Sequence, residues 1–255
     1  MLIAIDIGNS SINIGYFTDK GLLTQKTATH PLRDVQEYRL ILNDFLAQNN
    51  IEKKHISCII SSVVAGHTAV IEAALSGLAG NPDVLIVGHN MDTGLRYKIS
   101  NPEKLGADRI AGVAGACGFY KPPVAVVDCG TATTITAVDP DFNIIGGAIM
   151  PGLGLMNDAL GKGTSGLQKI ELMQPGPALG KDTEGCIRSG LFYGSAGAVE
   201  RILSEIEGET GYGFTVVVTG GYGPLLAEFI KRAHEINPHL ILEGLKILYD
   251  KNRHA

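Results

Sequence analysis

The strongest constraint on this chain is a local pattern that it carries twice. Leu2-Ile-Ala-Ile-Asp6-Ile-Gly8-Asn9-Ser10-Ser11-Ile-Asn13-Ile-Gly15-Tyr-Phe17 is an apolar run that breaks at an aspartate and a glycine. It then passes through small hydroxyl and amide side chains before turning apolar again. Such a run predicts a β-hairpin with a polar tip. A buried strand that delivers a carboxylate to a glycine-containing turn suits a metal-bound phosphate, because backbone N–H groups and short polar side chains there can face phosphate oxygens. One copy is equally compatible with an ordinary hairpin whose Asp and Asn serve turn geometry alone. The second copy, Val124-Ala-Val-Val-Asp128-Cys-Gly130-Thr131-Ala-Thr133-Thr134-Ile-Thr-Ala-Val138, favours the phosphate. Aligning Asp6 with Asp128 puts Gly8 on Gly130, Asn9 on Thr131 and Ser11 on Thr133. Two such hairpins predict duplicated half-domains, 1–118 and 119–255, that clamp one ligand.

The rest of the composition narrows the class. At 255 residues with 45% hydrophobic side chains the chain can build substantial cores, and its 33 glycines fit many tight turns. A net charge of -5, with no basic run longer than Lys53-Lys54, argues against a nucleic-acid surface. Cys58, Cys117, Cys129 and Cys186 lie far apart without a Cys-x-x-Cys spacing, so neither a zinc site nor a disulfide framework is indicated. The short apolar run before Asp6 does not make a signal peptide, and no apolar stretch is long enough to span a membrane. A soluble, cytoplasmic enzyme with reduced, buried thiols is expected.

Taken in order, the first hairpin is followed by a strand over Gly21–Thr29, ended by His30-Pro31. A helix over about Asp34–Asn49 follows, with Val35, Tyr38, Leu42, Phe45 and Leu46 on one face. A buried strand over His55–Val64, a helix over Gly66–Ala79 and a short strand over Asp83–Gly88 complete a mixed α/β half. His67 and His89 fall just after strands, where a loop histidine is usually solvated and only sometimes touches a ligand. The segment from Thr93 to Gly106 has turn signals and little periodicity. Gly106-Ala-Asp108-Arg109 opens a helix rich in small residues, which permit close approach of another element at a seam between halves. Read by itself, Asp108 is a helix-start carboxylate facing free N–H groups. The second half repeats the plan, with a strand over Phe142–Ile149, a helix over Thr183–Glu207, and Thr215–Thr219 running into Gly220-Gly221.

Asp6-Ile-Gly-Asn-Ser, Gly106-Ala-Asp-Arg109, Asp128-Cys-Gly-Thr-Ala-Thr-Thr134 and Thr219-Gly-Gly221 resemble, in order, the motifs of type III pantothenate kinase. That family lies within the acetate and sugar kinase, actin and heat-shock ATPase superfamily, and the resemblance runs nearly end to end. It implies an α/β fold of two duplicated ribonuclease H-like half-domains with mixed five-stranded sheets, the actin-like ATPase fold. The implied activity is ATP-dependent phosphorylation of pantothenate, the first step of coenzyme A biosynthesis, by a homodimer.

The resemblance also implies roles. Asp6, Ile7, Gly8, Asn9, Ser10, Ser11, Ile12, Asn13 and Thr131 would bind the nucleotide, with Asp6 holding Mg²⁺ through water. Asp128 would help hold a monovalent cation, K⁺ or NH₄⁺, and Asp108 would accept the proton from the pantothenate hydroxyl. Tyr97, Gly106, Ala107, Asp108, Arg109 and Thr183 would contact pantothenate, Thr183 reaching across the dimer. Two positions depart from the family pattern: Ser10 stands where a threonine is usual, and Tyr222 follows Gly220-Gly221 where related chains often carry an acidic or small residue near the adenine. Three rivals share the fold: another small-molecule kinase, a non-catalytic regulatory paralogue, and a chaperone-like ATPase. The Gly-Ala-Asp-Arg motif and the three carboxylates favour the pantothenate kinase over them.

Overall fold

A computed structural model describes residues 1–52, 55–78, 82–172 and 176–253. Lys53-Lys54, the expected helix end at Ala79 and residues 173–175 lie outside the described residues. Strands β1 (Leu2–Ile7), β2 (Ser11–Thr18) and β3 (Gly21–Ala28) pair antiparallel in sequence order. Every residue of β1 is buried, which accounts for its unbroken apolar run: a central strand has no solvent face to alternate with. Helix α1 (Val35–Gln48) begins at a reciprocal cap, in which Asp34 accepts from the Glu37 N–H and Glu37 accepts from the Asp34 N–H, each at 2.8 Å. Its buried side is Tyr38, Leu42 and Leu46, and Phe45 stacks on Tyr16 at 4.2 Å between centroids.

Strand β4 (Ser57–Ser62) lies parallel to β1, helix α2 (Ala65–Ser76) follows, and β5 (Val84–Ile86) lies parallel to β4. The first sheet therefore runs β3-β2-β1-β4-β5. Next come the two-residue β6 (Arg96–Tyr97), a 3-10 turn at Pro102–Lys104 and α3 (Ala107–Phe119). The second hairpin, β7 (Val124–Cys129) with β8 (Ala132–Val138), continues into β9 (Asn143–Pro151) and α4 (Leu153–Gly163). Helix α5 (Thr183–Thr210) starts at an Asp182 cap and stops at Gly211, whose φ of 73° is left-handed. The chain closes with β10 (Thr215–Thr219), α6 (Gly223–Ala227), β11 (Glu235–Ile236) and α7 (Leu240–Asn252).

The second sheet runs β11-β10-β7-β8-β9-β6. Its first five strands repeat the order of the first sheet, so the duplicated pattern is a duplicated topology. The expectation of five strands is corrected by β6. That strand comes from the stretch read as a loop and adds to the β9 edge through Arg96 N–H to Phe142 O and Lys98 N–H to Ile144 O, both 2.9 Å. Two residues are too few for alternation to show, and the strand exists because β9 offers an edge. Lys98 secures it with an ion pair at 3.0 Å to Asp139, whose buried carboxylate also takes the Asn143 and Asp141 amides.

The chain divides into two compact units. One comprises Met1–Gly94, Asn101–Gly118 and Ile241–Ala255, and the other Leu95–Ser100 and Phe119–Leu240. Each has its own core, the first around Ile3, Ile5, Ile60 and Leu75, the second around Val127, Ile135, Phe192 and Val216. The close approach that the small residues of α3 permit is made, within the first unit, by α7. A side chain at Gly244 would collide with the Ala111 carbonyl and the Gly115 amide. His67, expected on a solvated loop, is a core residue of α2 at 2% exposure, with its Nδ1 2.9 Å from the Tyr38 hydroxyl. Burial and the nearby His30 and Arg33 lower its pKa.

Candidate active site

In the first unit the site is built at the C-terminal end of β1. Parallel pairing sets Asp6 beside Ser61 of β4, and antiparallel pairing sets it beside Asn13 of β2. Residues paired across strands present their side chains on one face. Ser61 Oγ accordingly donates to Asp6 Oδ1 at 3.1 Å, and Asn13 Nδ2 approaches Oδ2 at 3.5 Å. Asp6 is only 6% exposed. Burial, with a second push from the charge of Asp108, lifts its carboxyl to about 7 against the two hydrogen bonds.

Beyond Asp6 the chain turns through residues 8–11, closed by Gly8 N–H donating to Ser11 O at 3.0 Å. Asn9 and Ser10 at the tip are exposed, while Ile7 and Ile12 are buried and anchor the two sides. The turn is held from outside by Thr29, which follows β3: its N–H donates to Ser10 O at 3.2 Å and its hydroxyl to Gly8 O at 2.7 Å. Neither Thr29 nor Ser61 stood out in the sequence. A hydroxyl interrupting the apolar run Cys58-Ile-Ile-Ser61 was the available signal, and it acquires meaning only through the β1–β4 register.

Asp108 lies in the first turn of α3, half-buried, with Oδ1 accepting from the Arg109 N–H at 2.8 Å. Burial raises its pKa, while the Arg109 amide and guanidinium work against that shift. The Arg109 guanidinium is lowered by burial and held up by the Asp108 charge. A side chain at Gly106 would push the Asp108 carboxylate from its present position, and Ala107 is buried. Asp6, the tip from Gly8 to Asn13, and the Gly106–Arg109 helix start thus belong to one unit, with Asp6 and Asp108 within reach of each other's charge.

In the second unit Asp128 is the next-to-last residue of β7 and Thr131 occupies the following turn. This turn is one residue shorter: Asp6 pairs with Asn13, whereas Asp128 pairs with Thr134. By register the equivalent of Ser11 is therefore Ala132, where an ungapped alignment placed Thr133. Gly220, at a φ of 89°, folds the end of β10 against this hairpin, and Tyr222 N–H donates to Cys129 O at 2.9 Å. A side chain at Gly220 would collide with Asp128 Oδ1 and the Cys129 amide, so protein packing alone requires this glycine. The Tyr222 ring lies over Gly154 at the start of α4. Tyr97 sits on the edge strand beside β9, apart from the Asp128 hairpin. Thr183 is exposed at the start of α5, on the rim of an apolar groove of roughly 850 Å³ lined by Met156, Leu160, Leu167, Ile187 and Leu191.

The Asp6 carboxylate and the Ser61 hydroxyl beside it are hard oxygens, and the Asn13 amide faces the carboxylate with its NH₂ group. That set fits Mg²⁺ retaining much of its water, since Mg²⁺ prefers oxygen and dehydrates reluctantly. Among the described residues no cluster of three or more His, Cys, Asp or Glu is gathered at any point. No helix among them is long and apolar enough to cross a membrane.

Comparison with known proteins identifies the family. The family model described as type III pantothenate kinase matches residues 2–205. A type III pantothenate kinase of Moorella thermoacetica is 35% identical over 99% of this chain and 100% of its own length. One from Roseiflexus sp. is 37% identical over 99% of this chain and 100% of its own length. Among solved structures, a Campylobacter jejuni protein provisionally described as a Baf family transcriptional activator superposes with a TM-score of 0.63 at 20% identity, covering 99% of this chain and 100% of that one. A Sinorhizobium meliloti protein provisionally described as a 2-dehydro-3-deoxygalactonokinase gives 0.60 at 16% identity, covering 97% and 95%. These two likenesses establish the fold, that of the sugar kinases and actin-like ATPases.

Proposed function

Because the chain belongs to the type III pantothenate kinase family, we propose that it transfers the γ-phosphoryl group of ATP to the primary hydroxyl of pantothenate, giving 4'-phosphopantothenate and ADP. It is a phosphotransferase with an alcohol acceptor, and the step opens coenzyme A biosynthesis. The observation that carries the assignment of roles is the pairing of a metal-competent carboxylate, Asp6, with a second carboxylate, Asp108, whose charge reaches it.

Phosphoryl transfer asks the protein mainly to position the reactants and to neutralise charge. Asp6 would hold Mg²⁺, which would offset charge on the phosphates. The tip from Ile7 to Asn13, with Thr131 from the second hairpin, contacts the nucleotide phosphates. Asp108 orients the pantothenate hydroxyl and takes its proton as the hydroxyl oxygen bonds to phosphorus and the bond to the ADP oxygen breaks. Its pKa, raised by burial, makes it a better base than a solvated carboxylate, though still one that accepts the proton late. Arg109 faces the pantothenate carboxylate with fixed charge, and Tyr97, Gly106 and Ala107 complete that pocket. Asp128 would help hold K⁺ or NH₄⁺. Each protomer of a cytoplasmic homodimer carries both duplicated halves, 1–118 and 119–255 apart from Leu95–Ser100 and Ile241–Ala255, which change sides, and the exposed Thr183 beside its apolar groove is suited to reach a partner's site.

Neither a regulatory paralogue nor another small-molecule kinase is favoured, since identity of 35% and 37% runs the full length of named pantothenate kinases. The test is to incubate the purified protein with ATP, Mg²⁺, K⁺ and pantothenate and to weigh the products by mass spectrometry. Phosphopantothenate and ADP in equal amounts are expected. ATP consumed without phosphopantothenate, or no reaction, would overturn the assignment.

A further inference from the structure

Both hairpin turns are tied down from behind by the residue that follows the third strand of their sheet, but by different means. After β9, Gly152 donates its N–H to Thr131 O at 3.1 Å, and any side chain there would collide with the Gly130 and Thr131 carbonyls. In this turn the chain itself lies against the carbonyls. After β3, Thr29 makes the matching backbone bond to Ser10 O and adds a hydroxyl bond of 2.7 Å to Gly8 O. Thr29 is fully buried at 0% exposure, so this hydroxyl has no access to water as a substitute partner.

The bond to Gly8 O has a directional consequence. In a trans peptide the carbonyl of one residue and the N–H of the next point in opposite directions from a single rigid plane. Holding the Gly8 carbonyl towards Thr29 therefore aims the Asn9 N–H away from it, at the exposed tip where Asn9 and Ser10 lie. Turn N–H groups with a fixed outward direction make an anion cradle, and a flipped peptide plane would present a carbonyl oxygen to the anion instead.

We propose that Thr29 is a positioning residue for the nucleotide: its hydroxyl locks the Gly8–Asn9 peptide plane so that the Asn9 N–H faces an ATP phosphate. This deepens the kinase reading and rests on it. Thr29 acts only through the turn, and pantothenate binding does not depend on it.

The experiment compares wild type with Thr29→Val, which keeps the shape and removes the hydroxyl, and with Thr29→Ser, which restores it. ATP affinity is measured by calorimetry without pantothenate, and KM for each substrate by steady-state assay. Loss of one buried hydrogen bond predicts ATP affinity about tenfold weaker in the valine variant, pantothenate KM within about twofold of wild type, and most of the loss recovered by serine. The proposal is overturned if the valine variant binds ATP as tightly as wild type, if it loses both substrates in parallel, if it does not fold, or if serine fails to recover ATP binding. Wild type incapable of binding ATP or of phosphorylating pantothenate would instead remove the kinase reading beneath it.

Discussion

The charge of Asp108 bears on Asp6 strongly enough to add to burial in lifting the Asp6 carboxyl to about 7, although the two residues are separated by most of the first unit's sequence. A buried acid paired with another acid is poorly placed for stability and well placed to receive a cation. Function and folding therefore pull against each other at this point.

One consequence is a pH-dependent stability carried by Asp6. Its folded pKa of about 7 lies above the ordinary 3.8, so between those values the folded state holds a proton that the unfolded state has released. Unfolding then releases a proton, and stability falls as pH rises from 4 to 7. Asp6→Asn should abolish that slope and stabilise the ligand-free protein at pH 8 by on the order of 4 kcal/mol, while destroying Mg²⁺-dependent ATP binding. Urea titrations at several pH values, with calorimetry for ATP, would read both effects; an Asn variant less stable than wild type at pH 8 contradicts the account.

Asp108→Asn separates binding from chemistry. The variant should bind ATP within about threefold of wild type and lose turnover by about 10²- to 10⁴-fold, the range for a positioned acid or base. It should also ease ionisation of Asp6, moving the stability slope to lower pH. Steady-state rates together with ATP calorimetry decide the matter, and near-normal turnover removes Asp108 from the reaction.

Gly220→Ala tests the second hairpin. The residue combines a left-handed φ of 89° with a side-chain position that would strike Asp128 and Cys129. An alanine must strain the backbone and displace Asp128, so a fall in stability of about 1–3 kcal/mol is expected, with a higher K⁺ concentration needed for half-maximal activity. Thermal melts and K⁺ titrations of the rate would check this, and unchanged K⁺ dependence would detach Asp128 from the cation.

Asp139 predicts acid sensitivity of the opposite sign. Burial alone would raise its pKa, but the Asn143 amides, Lys98 and the Asp141 N–H outweigh burial and hold it at about 2. The folded pKa lies below the unfolded one, so this contribution is complete above pH 4 and disappears as pH falls towards 2. Asp139→Asn should flatten the stability profile in that window and loosen β6 with its Tyr97. Denaturant midpoints between pH 2 and 5 measure the first effect, and hydrogen exchange of residues 95–100 the second.

By itself the sequence determined the local elements and their chemistry. The apolar run of β1, the Asp34 and Glu37 cap of α1, the helix start at Gly106-Ala-Asp108-Arg109 and the repeated Asp-x-Gly turn are all set by neighbours within a few residues, where spacing, propensity and turn geometry act. Only the tertiary structure decided what lies beside what. Ser61 reaches Asp6 through a parallel register that spans 55 residues, and Thr29 reaches Gly8 across 21. Likewise α7 returns to pack on α3, β6 forms because β9 has an open edge, and His67 becomes a core residue because Tyr38 on α1 meets it. Periodicity records which face of an element is buried, but not the identity of the partner that buries it. The hydrogen bonds that aim a catalytic carboxylate or a phosphate-facing turn are fixed by that partner.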